Sequence, residues 1–261
     1  MVIEINKEIS SPFHGVERSV TGKLWRPRFE DERLVLAFIQ KFELPEIVAR
    51  VVAARGITLD QGHEFLNPRL KTLLPEPNQL KDMEPAIDLI IRALEEDETI
   101  AVFGDYDVDG ATSSAILVQF FSMIGKNLPV YIPDRQKEGY GPNLPALMKL
   151  KDNGASVIIT VDCGTTAFEP LEAAAKAGLK IIVIDHHVAE PRLPKGSLVI
   201  NPNRFDETSK HGQLAAVGVT FLFITALNRA LRKLNWYDKT LPEPNLMKFI
   251  GLVALGTICD V

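Results

Sequence analysis

From residue 99 onward the hydrophobic pattern alternates between two rhythms. Short runs of β-branched and aromatic residues, "TIAVFG" (99–104), "PVYIP" (129–133), "SVIITV" (156–161), "KIIVI" (180–184) and "SLVIN" (197–201), read as strands. Between them "ATSSAILVQFFSMIG" (111–125), "NLPALMKLKDNG" (143–154) and "AFEPLEAAAKAG" (167–178) read as helices that stop at a glycine. Strand and helix in strict turn predict right-handed βαβ units. The near-continuous Val/Ile character of the strands predicts burial on both faces. The expected fold class is therefore α/β, a doubly wound, mostly parallel sheet.

Upstream, residues 1–30 lack periodicity and read as an irregular lead, and 32–66 turns helical. The four prolines of 67–85 mark a connector, and "AIDLIIRALEED" (86–97) is an amphipathic helix. Downstream, "LAAVGVTFLFITALNRALRKL" (214–234) and "NLMKFIGLVALGTICDV" (245–261) are helical, the first with a buried character. The expected organisation is a lead and helical region over 1–98 and an α/β domain over 99–261. The most apolar long stretch, 214–227, is too short to span a bilayer.

Composition changes this picture little. With 46% hydrophobic and 24% charged residues the chain is an ordinary globular sequence. A net charge of −5 gives no overall basic footprint for nucleic acid, although a local basic groove remains compatible with it. The two cysteines, Cys163 and Cys259, form neither a disulfide framework nor a zinc pattern, so a reducing cytoplasm is expected. "MVIEINKEIS" lacks a basic segment followed by an apolar core and is not read as a secretory signal.

The chemistry concentrates at strand ends. "TIAVFG" runs into Asp105, Asp107 and Asp109, "VIITV" into Asp162, and "KIIVI" into Asp185, His186 and His187. The carboxyl edge of an open parallel sheet is its ligand-binding edge. Five carboxylates and two imidazoles meeting there would raise one another's pKa values unless cations compensate. Mixed Asp/His donors favour Mn²⁺ or another transition metal over Ca²⁺. A single strand-end Asp is usually a turn or cap residue, and a single His is usually no ligand. The repetition at three strand ends favours metal. An EF-hand reading of "DYDVDGATSSAI" fails at its twelfth position, Ile116, and a strand precedes the loop. The resemblance of "DVDGAT" to the DxDGT of aspartyl-phosphate phosphatases leaves Asp-His-His unexplained.

"VFGDYDVDGATS", "VDCG", "VIDHH" and "ALGTICDV" resemble the four motifs of the DHH phosphoesterase superfamily. "IPDRQKEGYG", "VINPNR", "LAAVGVTF" and the lead "VARVVAARGITLDQGHEFLNPRLKTLLPEP" resemble its RecJ group of single-strand-specific 5′→3′ exonucleases. The resemblance covers nearly the whole chain, in order. It implies that Asp107, Asp109, Asp162, His186 and Asp260 bind metal, with Asp162 bridging two Mn²⁺ (Mg²⁺ as the alternative) about 3.5–4 Å apart. It implies catalytic roles for His187, Asp105 and Arg135, with Asp105 as ligand or outer acid. Arg135, Asn203 and Arg204, with Asn201, become phosphate or structural contacts, and Asp185 opens the third motif without an assigned role.

The implied substrate is single-stranded DNA, with single-strand-binding protein and a helicase as further partners and no membrane. Relatives of this group continue into a DHH-associated domain and an OB-fold. The chain is therefore expected to be an N-terminal fragment in which Asp260 is held loosely. The rival readings are a DHH hydrolase of short oligonucleotides, 3′-phosphoadenosine phosphate or pyrophosphate, and a non-catalytic replication scaffold. The lead, "GYG" and "NPNR" segments argue against the first, and the intact acids argue against the second. Cys163 and Cys259 stand where Asn and Ala are common, and both are expected to pack as small hydrophobes.

Overall fold

A computed structural model describes residues 12–29 and 31–260. Part of the expected irregular lead, 1–11 and residue 30, lies outside the described residues. The chain divides into two compact units, 1–74 and 75–261.

In the first unit, α1 (Glu32–Phe42), α2 (Glu46–Ala54), α3 (Gly62–Leu66) and α4 (Leu70–Leu73) follow the described part of the lead. Asp31 caps α1 by accepting from the Arg33 and Leu34 amides, and Pro45 sits at the N-cap of α2, where no amide donor is required. Val35, Phe38, Ala49, Val52 and Ala53 form its core.

The second unit opens with α5 (Met83–Glu95). This helix starts three residues before the expected Ala86. Pro85 falls in its first turn, where the missing N–H has no intrahelical partner to lose. Then come β1 (Thr99–Gly104), α6 (Val108–Met123), β2 (Val130–Tyr131), α7 (Arg135–Glu138), α8 (Leu144–Asp152), β3 (Ala155–Val161), α9 (Phe168–Lys176), β4 (Lys180–Ile184), β5 (Ser197–Ile200), α10 (Ala216–Lys233) and α11 (Ile250–Cys259). The strands form one five-stranded parallel sheet in the order β2-β1-β3-β4-β5. Helices α8 and α9 pack on one face and α5, α6 and α10 on the other, as the two-sided burial of the strands requires. Strand order reverses between β1 and β3, the switch point where such sheets open a ligand crevice.

Two expectations need correction. "PVYIP" yields only a two-residue strand. Cys163 is buried as expected, but Cys259 is exposed. It is the last residue of α11, where the helical period rather than strand alternation sets its direction. Among the described residues no helix is long and apolar enough to cross a membrane.

Candidate functional site

The sheet register builds the site. Gly104 pairs with Val161, Val161 with Ile184, and Ile184 with Ile200. The next residue of each strand is therefore in one row: Asp105, Asp162, Asp185 and Asn201. The ladder continues into that row. The Asp105 amide donates to the Val161 carbonyl at 3.3 Å, Asp162 to Ile184 at 2.9 Å, and Asp185 to Ile200 at 3.1 Å. All four side chains are buried.

Two of the four are satisfied. Asp185 Oδ1 accepts from the His186 and His187 amides at 2.8 and 3.2 Å and pairs with His187 Nδ1 at 2.8 Å. Its Oδ2 accepts from the Thr165 amide at 3.0 Å. Burial opposes ionisation of this carboxyl, but His187 and Thr165 outweigh it and hold the pKa low. Asn201 Nδ2 donates to Thr165 Oγ1 at 2.8 Å and to the His187 carbonyl at 2.9 Å, while its Oδ1 accepts from the Asn203 amide. Asn203 Nδ2 donates to the His186 carbonyl at 2.6 Å. The "NPNR" segment thus clamps the Asp-His-His turn from beneath.

The other two are not. Among the described residues, Asp105 Oδ1 and both oxygens of Asp162 are buried with no hydrogen-bond partner. Asp162 also has a φ of 61°, in the left-handed region that costs a side-chain-bearing residue energy. Burial, opposed by His186 and aided by Asp109 and Asp107, pushes its carboxyl up to about 7. Burial likewise raises Asp105 and Asp109.

The remaining donors come from helix ends. Asp107 caps α6, accepting from the Gly110 amide at 2.9 Å. Gly110 is required there, because a Cβ would lie 2.6 Å from the Asp105 carbonyl oxygen. Asp109, in the first turn of α6, accepts from the Ala216 and Val217 amides at 2.7 and 2.8 Å, so the start of α10 fixes its carboxylate. Asp260 follows α11 directly, and its Oδ2 lies 3.6 Å from His186 Nδ1.

His186 sits among these acids. Its Nε2 is 3.4 Å from Asp162 Oδ1 and 3.8 Å from Asp109 Oδ2. Burial works against its cation, but Asp162 and Asp260 raise its pKa overall. The Asp185 contact, opposed by burial, lifts His187 to about 9.

Among the described residues, three sets of donors lie close enough to share a cation: Asp105, Asp107 and Asp162; Asp162, His186 and His187; and Asp109, His186 and Asp260. Asp162 belongs to two of them. Unpartnered buried carboxylate oxygens beside imidazole nitrogens fit divalent metal, since such charges are not left uncompensated in a protein interior.

The structure also shows where the other expected residues lie. Arg135 is exposed on the rim, its guanidinium 5.0 Å from the Tyr106 ring centroid. Arg204 is not on the rim. Its guanidinium donates to Asp82, Asp206 and the Val199 carbonyl, and its side chain is only 8% exposed. Two contributors escaped sequence reasoning. Thr165 joins Asp185 to Asn201. The Tyr140 hydroxyl donates to the Asp162 carbonyl at 3.2 Å and lies 3.5 Å from His187 Nδ1. Both contacts span 20 residues or more, so no local pattern reveals either role, although Tyr140 lies in the "GYG" segment that the resemblance singles out.

A family model described as "DHH family, N-terminal domain" matches residues 99–257. The single-stranded-DNA-specific exonuclease RecJ of Escherichia coli K12 is 37% identical over 221 residues, covering 84% of this chain and 38% of the relative's length. The crystal structure of exonuclease RecJ bound to manganese is similar with a TM-score of 0.59 at 34% identity, over 70% of this chain and 44% of that one. RecJ from Thermus thermophilus in complex with Mn²⁺ is similar with a TM-score of 0.68 at 29% identity, over 89% of this chain and 31% of that one. The chain therefore spans less than half the length of these relatives.

Proposed function

The chain belongs to the DHH family, and from that premise we propose that the acid and imidazole rim hydrolyses phosphodiester bonds of single-stranded DNA, removing nucleotides 5′→3′. The observation that carries the reading is Asp162: buried, unpartnered at both oxygens, and common to two donor sets. The metal-bound RecJ structures to which the chain is similar support a divalent cation, Mn²⁺ or Mg²⁺.

Asp105, Asp107 and Asp162 would hold one ion, and Asp109, His186 and Asp260 would hold a second beside Asp162. Such ions supply a water of lowered pKa and positive charge for the phosphoryl oxygens. The chain's own groups do the rest. Asp185 orients His187 and keeps it protonated at neutral pH, so it can donate to a phosphoryl oxygen as charge develops. Arg135, exposed on the same rim, offers a second cation. Asn201 and Asn203 hold the carbonyls of His187 and His186, which fixes where both imidazoles point. We assign Asn203 and Arg204 to positioning rather than to substrate. Contacts to phosphate carry no base identity, so digestion should be sequence-tolerant.

The test is a substrate panel with Mn²⁺: 5′-labelled single-stranded DNA, a dinucleotide, 3′-phosphoadenosine phosphate and pyrophosphate. Release of nucleotides from the labelled end of the long strand is expected. Preference for the small substrates would replace the exonuclease reading, and Mn²⁺ binding without turnover on any of them would point to a scaffold.

A further inference from the structure

We propose that the first compact unit carries its own binding cleft for single-stranded DNA, formed by Arg26, Arg28, Arg50, Arg55, Phe13 and Phe29. The cleft has a volume of about 250 Å³. Among the described residues, four of the ten that line it are arginine and none is acidic, in a chain whose net charge is −5. Composition therefore does not explain the clustering. Arg50 is already committed. Its guanidinium donates twice to Glu32, at 2.7 and 2.8 Å, and to Glu46 at 2.8 Å. It also lies 5.2 Å from the Phe13 ring centroid. That arrangement makes a fixed, flat wall of guanidinium and aromatic ring.

The other three arginines are different. Among the described residues no hydrogen bond or ion pair engages the guanidinium of Arg26, Arg28 or Arg55, and all three are exposed. The rest of the lining is apolar: Pro27, Ile47, Val51 and Ala54, with Ile47 and Val51 exposed. Free guanidinium groups beside an apolar and aromatic floor complement a ligand that repeats anion and flat apolar ring. A single nucleic acid strand is such a ligand. Its phosphates pair with arginine, and its bases stack on rings of any kind without sequence preference. The choice of single-stranded DNA over another polyanion rests on the substrate proposed above. An acidic peptide bearing aromatic side chains is the competing occupant.

The test measures binding without turnover. A fluorescein-labelled oligothymidylate is titrated with the full chain in chelator and followed by anisotropy over a series of salt concentrations. Replacing Arg26 and Arg28 together by Gln should weaken binding ~10-fold and flatten the log K against log salt slope by ~1.4, from about 0.7 per phosphate contact on a single strand. Val51→Glu, at an exposed position of the lining, should weaken binding without removing an arginine, because it sets a carboxylate among them. Melting temperatures within a few degrees of the parent keep these losses specific. Unchanged affinity and slope in both variants would overturn the proposal. So would absence of binding by the parent chain, or displacement of the oligonucleotide by a Glu/Phe peptide at lower concentration than by unlabelled oligothymidylate. Arginine-dependent binding with no hydrolysis in the presence of Mn²⁺ would leave the cleft standing and remove the exonuclease reading of the sheet edge.

Discussion

His186 and His187 are neighbours in sequence with different surroundings. Both ring nitrogens of His186 face carboxylates, and its side chain is 16% exposed. His187 spends Nδ1 on Asp185 and is 49% exposed. The first imidazole has the surroundings of a ligand, the second those of an oriented donor. His186→Gln is therefore expected to weaken Mn²⁺ binding at least ~10-fold, the low end of what losing even an outer partner costs. His187→Gln should leave Mn²⁺ affinity within about threefold and lower kcat by ~10²-fold, the scale of one lost transition-state donor. Calorimetric Mn²⁺ titration beside steady-state turnover separates the two. Equal loss of metal in both variants would make both imidazoles ligands. The strand-end acids were legible residue by residue, because each follows an apolar run directly. The division of labour among them was not. Asp185 and Asp162 look alike in sequence, and only the donors around them, the His187 ring first and then the Thr165 amide, make one satisfied and the other bare.

At the scale of elements, the site depends on how closely three helices approach. Helix α11 packs on α6 and α10, and at Gly256 it approaches Thr112 and Val217 closely. A Cβ there would lie 2.4 Å from Thr112 Oγ1 and 2.8 Å from Val217 Cγ1. Val217 is the residue whose amide holds Asp109, and Asp260 follows at the end of the same helix. Alanine normally stabilises a helix over glycine by up to ~1 kcal/mol. Overpacking a tight contact costs ~1–3 kcal/mol, and here it should prevail. Gly256→Ala is expected to lower the urea midpoint and weaken Mn²⁺ binding. Gly251→Ala lies in the same helix but opens onto space, so it should be neutral or stabilising and leave the metal unaffected. The same sign for both substitutions would show that propensity rather than packing governs this helix. Strand and helix order could be read from the period of the apolar positions. The start of α5 at Met83 could not, since Pro85 looks like a break from sequence and becomes a tolerated first-turn residue only once the helix forms.

For the molecule as a whole, gathering acids on one edge has a stability cost that should show as pH dependence when metal is removed. Asp162 is pushed up to about 7 by burial, with His186 opposing and Asp109 and Asp107 adding to the rise, and the Asp185 contact lifts His187 to about 9. Both folded-state values lie above those of the unfolded chain, about 4 for a carboxyl and about 6.5 for an imidazole. The folded state thus binds protons more tightly. Its extra stability is present at low pH and is lost as pH rises, between about 4 and 7 for Asp162 and between about 6.5 and 9 for His187. Asp206 acts in the opposite sense. Arg204 holds it down to about 2, so its contribution is present above about 4 and fades as pH falls toward 2. Urea unfolding in chelator should therefore show greatest stability near pH 4, then a decline of up to ~1.4 kcal/mol per pH unit through the Asp162 range and a shallower one toward pH 9, because half-exposed His187 is screened by solvent. Asp162→Asn removes the first part of that decline and keeps a residue that tolerates a φ of 61°. It should be more stable than the parent in chelator at pH 8, yet gain less from added Mn²⁺, because ligand binding stabilises only in proportion to the affinity retained. If the variant is no more stable than the parent in chelator, the Asp162 carboxylate is not held against its own charge. The case for metal would then rest on the arrangement of the donors alone.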